Sequence, residues 1–346
     1  MEYLINTYNS LRKKFMPASK DDINWRHDEA VTYLRLIDNK VELLANEMKM
    51  TKTLAQVANG AVDGRENIDD IVAASSDGRL ITLDYPIHPV ARPYEKTRGG
   101  KKIITLLEAG RQRYAAALNE ISAFSNNFNQ IPLEETESKA APFWNNGMFP
   151  GLDAAYLYTQ IRTRKPKVYL EVGSGNSTKF ARKAISDGGL STKIISIDPF
   201  PRAEIDEICD MVIRKPFETL SEEDYLEHLS SGDIVFIDNS HRCFQSSDVT
   251  VFFTEMLPAL PQGILYGLHD IYIPLDYPEQ LISRFYNEQY MLLAYLLGGY
   301  GGDEIAFPGI FVSIDDEFKN SIDRIFDHPS LANVSRIAGG FWLLKG

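Results

Sequence analysis

Polar residues of four short segments stand where apolar runs end. The run 168–172 contains Glu171 and leads into Gly173-Ser-Gly-Asn-Ser-Thr178. Twenty-five positions after Gly173, Lys193-Ile-Ile-Ser-Ile197 ends in Asp198. Asp233-Ile-Val-Phe-Ile237 ends in Asp238 and is followed by Asn239, Ser240 and His241. Gly263-Ile-Leu-Tyr-Gly-Leu268 is followed by His269 and Asp270. Each type has a use. Glycine lets a backbone turn sharply and lie against a ligand. A carboxylate offers two acceptor oxygens to a diol. An imidazole with its ordinary pKa of about 6.5 can take a hydroxyl proton near neutral pH. Ligands of open α/β sheets sit beyond the carboxyl ends of strands, and Glu171, Asp198, Asp238, His269 and Asp270 all fall at such ends.

A strand, a glycine loop, a helix and a second strand ending in an acid make a nucleoside-binding half-fold. The loop reads G-x-G-x-x-T, with Thr178 where dinucleotide folds carry a third glycine. Glu171 would bring a carboxylate to the pyrophosphate of a dinucleotide, normally seated on the helix N-terminus. An acid suits a cation better, and S-adenosylmethionine (SAM) carries a sulfonium and an α-ammonium but no phosphate. Asp198 would then bind its ribose hydroxyls. The rival readings are an NAD-dependent Rossmann oxidoreductase and a non-catalytic SAM-binding scaffold. The loop and Glu171 count against the first, and the full set of polar strand ends against the second.

Glu171-Val-Gly-Ser-Gly-Asn-Ser-Thr178, Ser196-Ile-Asp-Pro199, Gly232-Asp-Ile-Val-Phe-Ile-Asp-Asn-Ser-His241 and His269-Asp-Ile-Tyr-Ile-Pro274 resemble class I SAM-dependent methyltransferases. The closest similarity is to the branch catalogued as methyltransferase family 24, over about residues 140–346. The site is loosely similar to that of metal-dependent O-methyltransferases acting on macrolide sugars. Ser177 departs from the third glycine of many class I enzymes. The resemblance implies a Rossmann-like, doubly wound α/β sheet of about seven strands with a closing antiparallel hairpin. It implies cofactor contacts from Glu171, Gly173, Ser174, Gly175, Asn176, Ser177, Asp198 and Asp238, with Phe217 packing on the adenine. Asp238, His269 and Asp270 become candidate ligands of Mg²⁺ or Mn²⁺. His241 is the candidate general base, oriented by Asp238, with His269 as its rival. The reaction implied is methyl transfer to a hydroxyl of a small molecule or sugar.

These residues need a scaffold. From 167 onward, strand-like runs alternate with helical ones, which argues for a parallel sheet covered on both faces. Strands are expected near 167–172, 193–198, 210–213, 233–237, 262–268, 309–314 and 335–344. A helix over about 152–163 leads into the first strand. Residues 1–140 read as a mainly helical N-terminal region for substrate selection, a lid or oligomerisation, and 141–346 as the catalytic domain. Over 29–50, Ala30, Leu34, Ile37, Val41, Leu44 and Met48 alternate at steps of four and three, the seam of an amphipathic helix or of a homodimer contact. Pro86, Pro89 and Pro93 exclude a regular helix there. Residues 60–101 read as irregular, and a helix is expected over 103–124.

With 346 residues, 44% of them hydrophobic and 24% charged, the chain is ordinary globular material. A net charge of −12 argues against nucleic acid as a partner, because a phosphate backbone requires a basic face. Two cysteines, Cys209 and Cys243, make no disulfide framework. With no signal-peptide pattern and no apolar run of spanning length, a cytoplasmic location is expected.

Overall fold

The computed structural model describes residues 85, 87–201, 204–282 and 284–346. The chain divides into two compact units, Met1–Ile87 and His88–Gly346. All elements described below belong to the second. The helix and seam expected over 29–50 lie outside the described residues.

Seven strands form one sheet: β1 (Val168–Val172), β2 (Lys193–Ile197), β3 (Met211–Ile213), β4 (Ile234–Ile237), β5 (Leu265–Leu268), β6 (Glu304–Pro308) and β7 (Phe341–Leu344). Their order is β3-β2-β1-β4-β5-β7-β6. β1 to β5 pair in parallel, and β7 runs antiparallel to both β5 and β6. Every residue of β1, β4 and β5 is buried. This is why these strands read as continuous apolar runs, as expected of a parallel sheet covered on both faces. The order reverses between β1 and β4, and such a switch point opens a crevice at the strands' carboxyl ends.

Helices α1 (Arg98–Glu108), α2 (Arg111–Ser122), α3 (Gly151–Arg164), α4 (Asn176–Gly188), α5 (Glu288–Leu297), α6 (Gly309–Ile314) and α7 (Asp316–Ile325) surround the sheet. Ile103 and Leu107 of α1 and Tyr114, Leu118 and Ile121 of α2 are buried in the same core as the strands. Trp144, in the connector before α3, packs edge-on against Phe128 and Phe326 and tilted against Phe180. Phe149 lies behind β4, 5.8 Å from the Phe236 ring and 5.4 Å from that of His269. The connector is therefore core, and it backs the crevice. Among the described residues, no helix is long and apolar enough to cross a membrane.

Three local expectations change. The helix expected over 103–124 starts at Arg98, where the Thr97 hydroxyl accepts from Gly100 N–H. It breaks at Ala109–Gly110, where the Tyr114 ring fills the room a Cβ at 110 would need. The run 309–314, expected as a strand, is α6. A short buried apolar run has no periodicity to separate the two states, and the strand is the preceding Glu304–Pro308. The last strand covers only Phe341–Leu344, because the N–H groups of Gly339 and Gly340 are committed to the Asp153 carboxylate at 2.6 and 2.8 Å.

Candidate active site

β1 ends in the glycine loop, and the loop is held from below. Glu171 is fully buried. Its carboxylate accepts from the Tyr169 hydroxyl at 2.7 Å and from the Thr178 hydroxyl. Thr178 in turn accepts from Gly175 N–H at 3.0 Å. Thr178, the departure from a dinucleotide pattern, thus couples the loop backbone to the strand-end acid. Glu171 lies beneath the loop rather than on the rim of the crevice. Burial pushes its carboxyl up to about 7 against the pull of these hydroxyls. Gly173 has φ +81°, and a Cβ there would stand 1.7 Å from the Asp238 carbonyl oxygen. Only glycine lets the ends of β1 and β4 meet this closely. Among the described residues, a Cβ at Gly175 would meet nothing within 4 Å, so they leave that side of the loop open.

Asp198, at the end of β2, reaches across to this loop. Its Oδ2 accepts from Ser174 N–H at 2.9 Å and its Oδ1 from Phe200 N–H at 2.7 Å. Each oxygen keeps a second lone pair for a ligand hydroxyl. Ser174 and Ser196 share a hydrogen bond of 2.7 Å. Asn176 is half-buried and Ser177 buried in the first turn of α4. Phe217 is not in the crevice: it is 2% exposed, with its ring 5.3 Å from that of Tyr225. Burial in the core leaves little of its face for an adenine.

Beyond β4 and β5, two acids and two imidazoles alternate around a closed ring. Asp238 Oδ1 lies 3.3 Å from His241 Nε2 and 3.4 Å from His269 Nδ1. Asp270 lies 3.5 Å from His241 Nε2 through Oδ2 and 3.6 Å from His269 Nδ1 through Oδ1. Behind each imidazole stands a buried acid: Glu288 Oε2 at 3.0 Å from His241 Nδ1, and Asp153 Oδ2 at 3.4 Å from His269 Nε2. Side-chain exposure is 32% for Asp238 and 28% for Asp270, against 6% for His241 and 3% for His269. The carboxylates therefore face the crevice and the imidazoles lie behind them. His241 and Asp270 both have left-handed backbones, φ +61° and +53°. A non-glycine residue adopts that state at a cost, and such strain collects at functional sites.

Charge decides what these groups can do. Burial alone would lower the pKa of His241, but bonds to Asp238 and Glu288 outweigh it and raise it to about 10. His269 is pushed well above its ordinary 6.5: burial opposes this, and the charges of Asp238 and Asp270 win. Burial would raise Asp238, yet the two imidazoles hold it below the usual carboxylate range. Glu288 is raised by burial. At neutral pH His241 thus already carries its proton, unlike the imidazole of ordinary pKa expected from the sequence. Among the described residues, no three His, Cys, Asp or Glu side chains are arranged to hold a metal ion as they stand.

The far wall is aromatic. The Tyr286 ring lies 4.6 Å from that of His241, and the Arg242 and Arg284 guanidiniums stand 5.2 and 4.6 Å from its centroid. Asp276 is occupied with the Tyr290 hydroxyl at 2.5 Å and Arg92 N–H at 2.9 Å. Asp153 had no role in the sequence analysis. The one available signal for Asp153 was an acid inside the otherwise uncharged stretch 151–161 of α3, all of it buried.

A family model described as a methyltransferase domain matches residues 170–271. No curated protein matches the chain. Among solved structures, the chain is similar to the SAH-bound Podospora anserina methyltransferase PaMTH1, with 13% identity, 70% of this chain and 89% of that chain covered, and a TM-score of 0.33. The family match runs from within β1 to the residue after Asp270, so one domain takes in the glycine loop, Asp198 and the acid–imidazole ring together. Residues 170–271 thus match a methyltransferase domain, and they lie in a seven-stranded Rossmann-like sheet of the order given above.

Proposed function

We propose that the protein methylates a hydroxyl oxygen of a small molecule or sugar, with Asp238 and Asp270 meeting the acceptor and His241 and His269 holding those carboxylates in place. The observation that carries this reading is the half-exposed acid pair backed by buried imidazoles, one strand away from the glycine loop. SAM lies against Gly173, Ser174 and Gly175, with its ribose on Asp198. Its sulfonium methyl is already activated, so the main task is to align oxygen, methyl carbon and sulfur. The S–CH₃ bond breaks as the O–CH₃ bond forms. The hydroxyl proton leaves by way of the Asp270 carboxylate to solvent, and S-adenosylhomocysteine (SAH) departs. Choice among acceptors rests with the N-terminal region.

A second reading adds a divalent cation. The donor types of Asp238, His269 and Asp270 suit Mg²⁺ or Mn²⁺, and a buried carboxylate behind an imidazole is the usual support of a metal-bound histidine. Such an ion would lower the pKa of a hydroxyl bound to it. The transfer written above stands without it.

Asp238→Asn and Asp270→Asn test the assignment. Each should lower kcat by about a hundredfold or more while SAH affinity stays within about threefold of wild type. Full turnover in both variants would remove the acid pair from the reaction. Activity that survives exhaustive chelation would remove the cation.

A further inference from the structure

Away from the crevice, the outer face of α4 and the segment 130–142 line an open surface cavity of about 350 Å³. That is room for one ring-sized molecule. Lys179, Arg182, Lys183 and Ser186 recur along one face of α4, and Ile131 and Pro142 contribute to the apolar part of the lining. Two of the three cations are already matched. Arg182 bonds Asp210 at 2.5 Å and the Ile208 carbonyl at 2.7 Å, and Lys183 bonds Asp187 at 2.5 Å. Lys179 is not matched. It is 4% exposed, its Nζ stands 6.0 Å from the Phe143 ring centroid, and it makes no hydrogen bond or ion pair among the described residues. Glu135 acts on it only from a distance, being paired with Lys139 at 3.1 Å, and Glu204 acts likewise without contact. Its stem is buried while its ammonium reaches the cavity, where among the described residues it meets no acceptor, and partial burial lowers its pKa. An acidic group in the cavity would supply the missing acceptor.

We propose that this cavity binds a compact ligand carrying one acidic group, a carboxylate or a phosphate monoester, on an apolar body, with Lys179 as the anchor. The site is distinct from the cofactor crevice, although Lys179 directly follows Thr178, which braces the glycine loop.

The test is calorimetric titration of the full-length protein, with saturating SAH filling the crevice. The probes are benzoate, phenyl phosphate and neutral benzamide. Saturable binding of an acid, with benzamide about tenfold weaker or worse, is the expected result, and the tighter of the two acids names the preferred group. Lys179→Met should weaken that binding about tenfold and leave SAH affinity unchanged. Ser186→Trp, which fills the cavity from an exposed position, should abolish it. Acids that bind no better than benzamide, or a Lys179→Met protein that binds like wild type, would overturn the proposal. Should Lys179→Met fail to fold, wild-type binding in Ser186→Trp would do the same.

Discussion

Glu171 shows how burial changes the meaning of a residue. Its position at the end of β1 suggests a carboxylate facing a cation across the crevice. Its contacts with Tyr169 and Thr178 instead make it the brace beneath the loop. Its folded pKa of about 7 exceeds its ordinary 4.5, so the stability it contributes is fully present below about pH 4.5 and is lost as pH rises through about 7. The loss amounts to roughly 3 kcal/mol. Glu171→Gln carries no such proton, so its unfolding free energy should fall by about 3 kcal/mol less than the wild-type value over this window. Denaturant titrations at pH 5 and pH 8 check this, and parallel pH curves for the two proteins would contradict it. The strand-end acids themselves were legible, because an acid after an apolar run needs only local sequence to be noticed. Their ionisation was not: the shift of His241 to about 10 depends on bonds from Asp238 and Glu288, and Glu288 lies 47 residues away in the chain.

At the level of elements, α3 does more than lead into β1. Asp153 accepts from Gly339 and Gly340 and stands 3.4 Å from His269. It thereby ties α3, the approach to β7 and the imidazole after β5 together. Asp153→Asn leaves one of these glycine N–H groups facing an amide donor. It should cost about 3 kcal/mol of unfolding free energy, measurable by urea denaturation. A cost below about 1 kcal/mol would mean that these contacts hold little. The strands through β5 announced themselves as β-branched runs bounded by glycine or polar residues. The C-terminal segment did so poorly. Whether 309–314 continues as strand or turns into α6 depends on Pro308 and on Gly309 N–H bonding to the Gly340 carbonyl. The shortening of the last strand likewise depends on Asp153, nearly two hundred residues earlier. Long-range partners of this kind leave no periodic trace.

Across the whole molecule, a net charge of −12 accords with a crevice that receives a cationic donor. In the acid–imidazole ring at the switch point each carboxylate is paired with imidazoles, while Arg242 and Arg284 stand against the Tyr286 ring beside it. The proposed function requires the methyl donor, the acceptor and the carboxylates to meet within one small volume between β1, β4 and β5. A crystal structure with SAH bound tests this most directly. The expected result is SAH along the Gly173–Gly175 loop, with its ribose hydroxyls on Asp198 and its sulfur turned towards Asp238 and Asp270. SAH bound elsewhere on the sheet, or with its sulfur pointing away from that acid pair, would contradict the assignment of the methyl-transfer site.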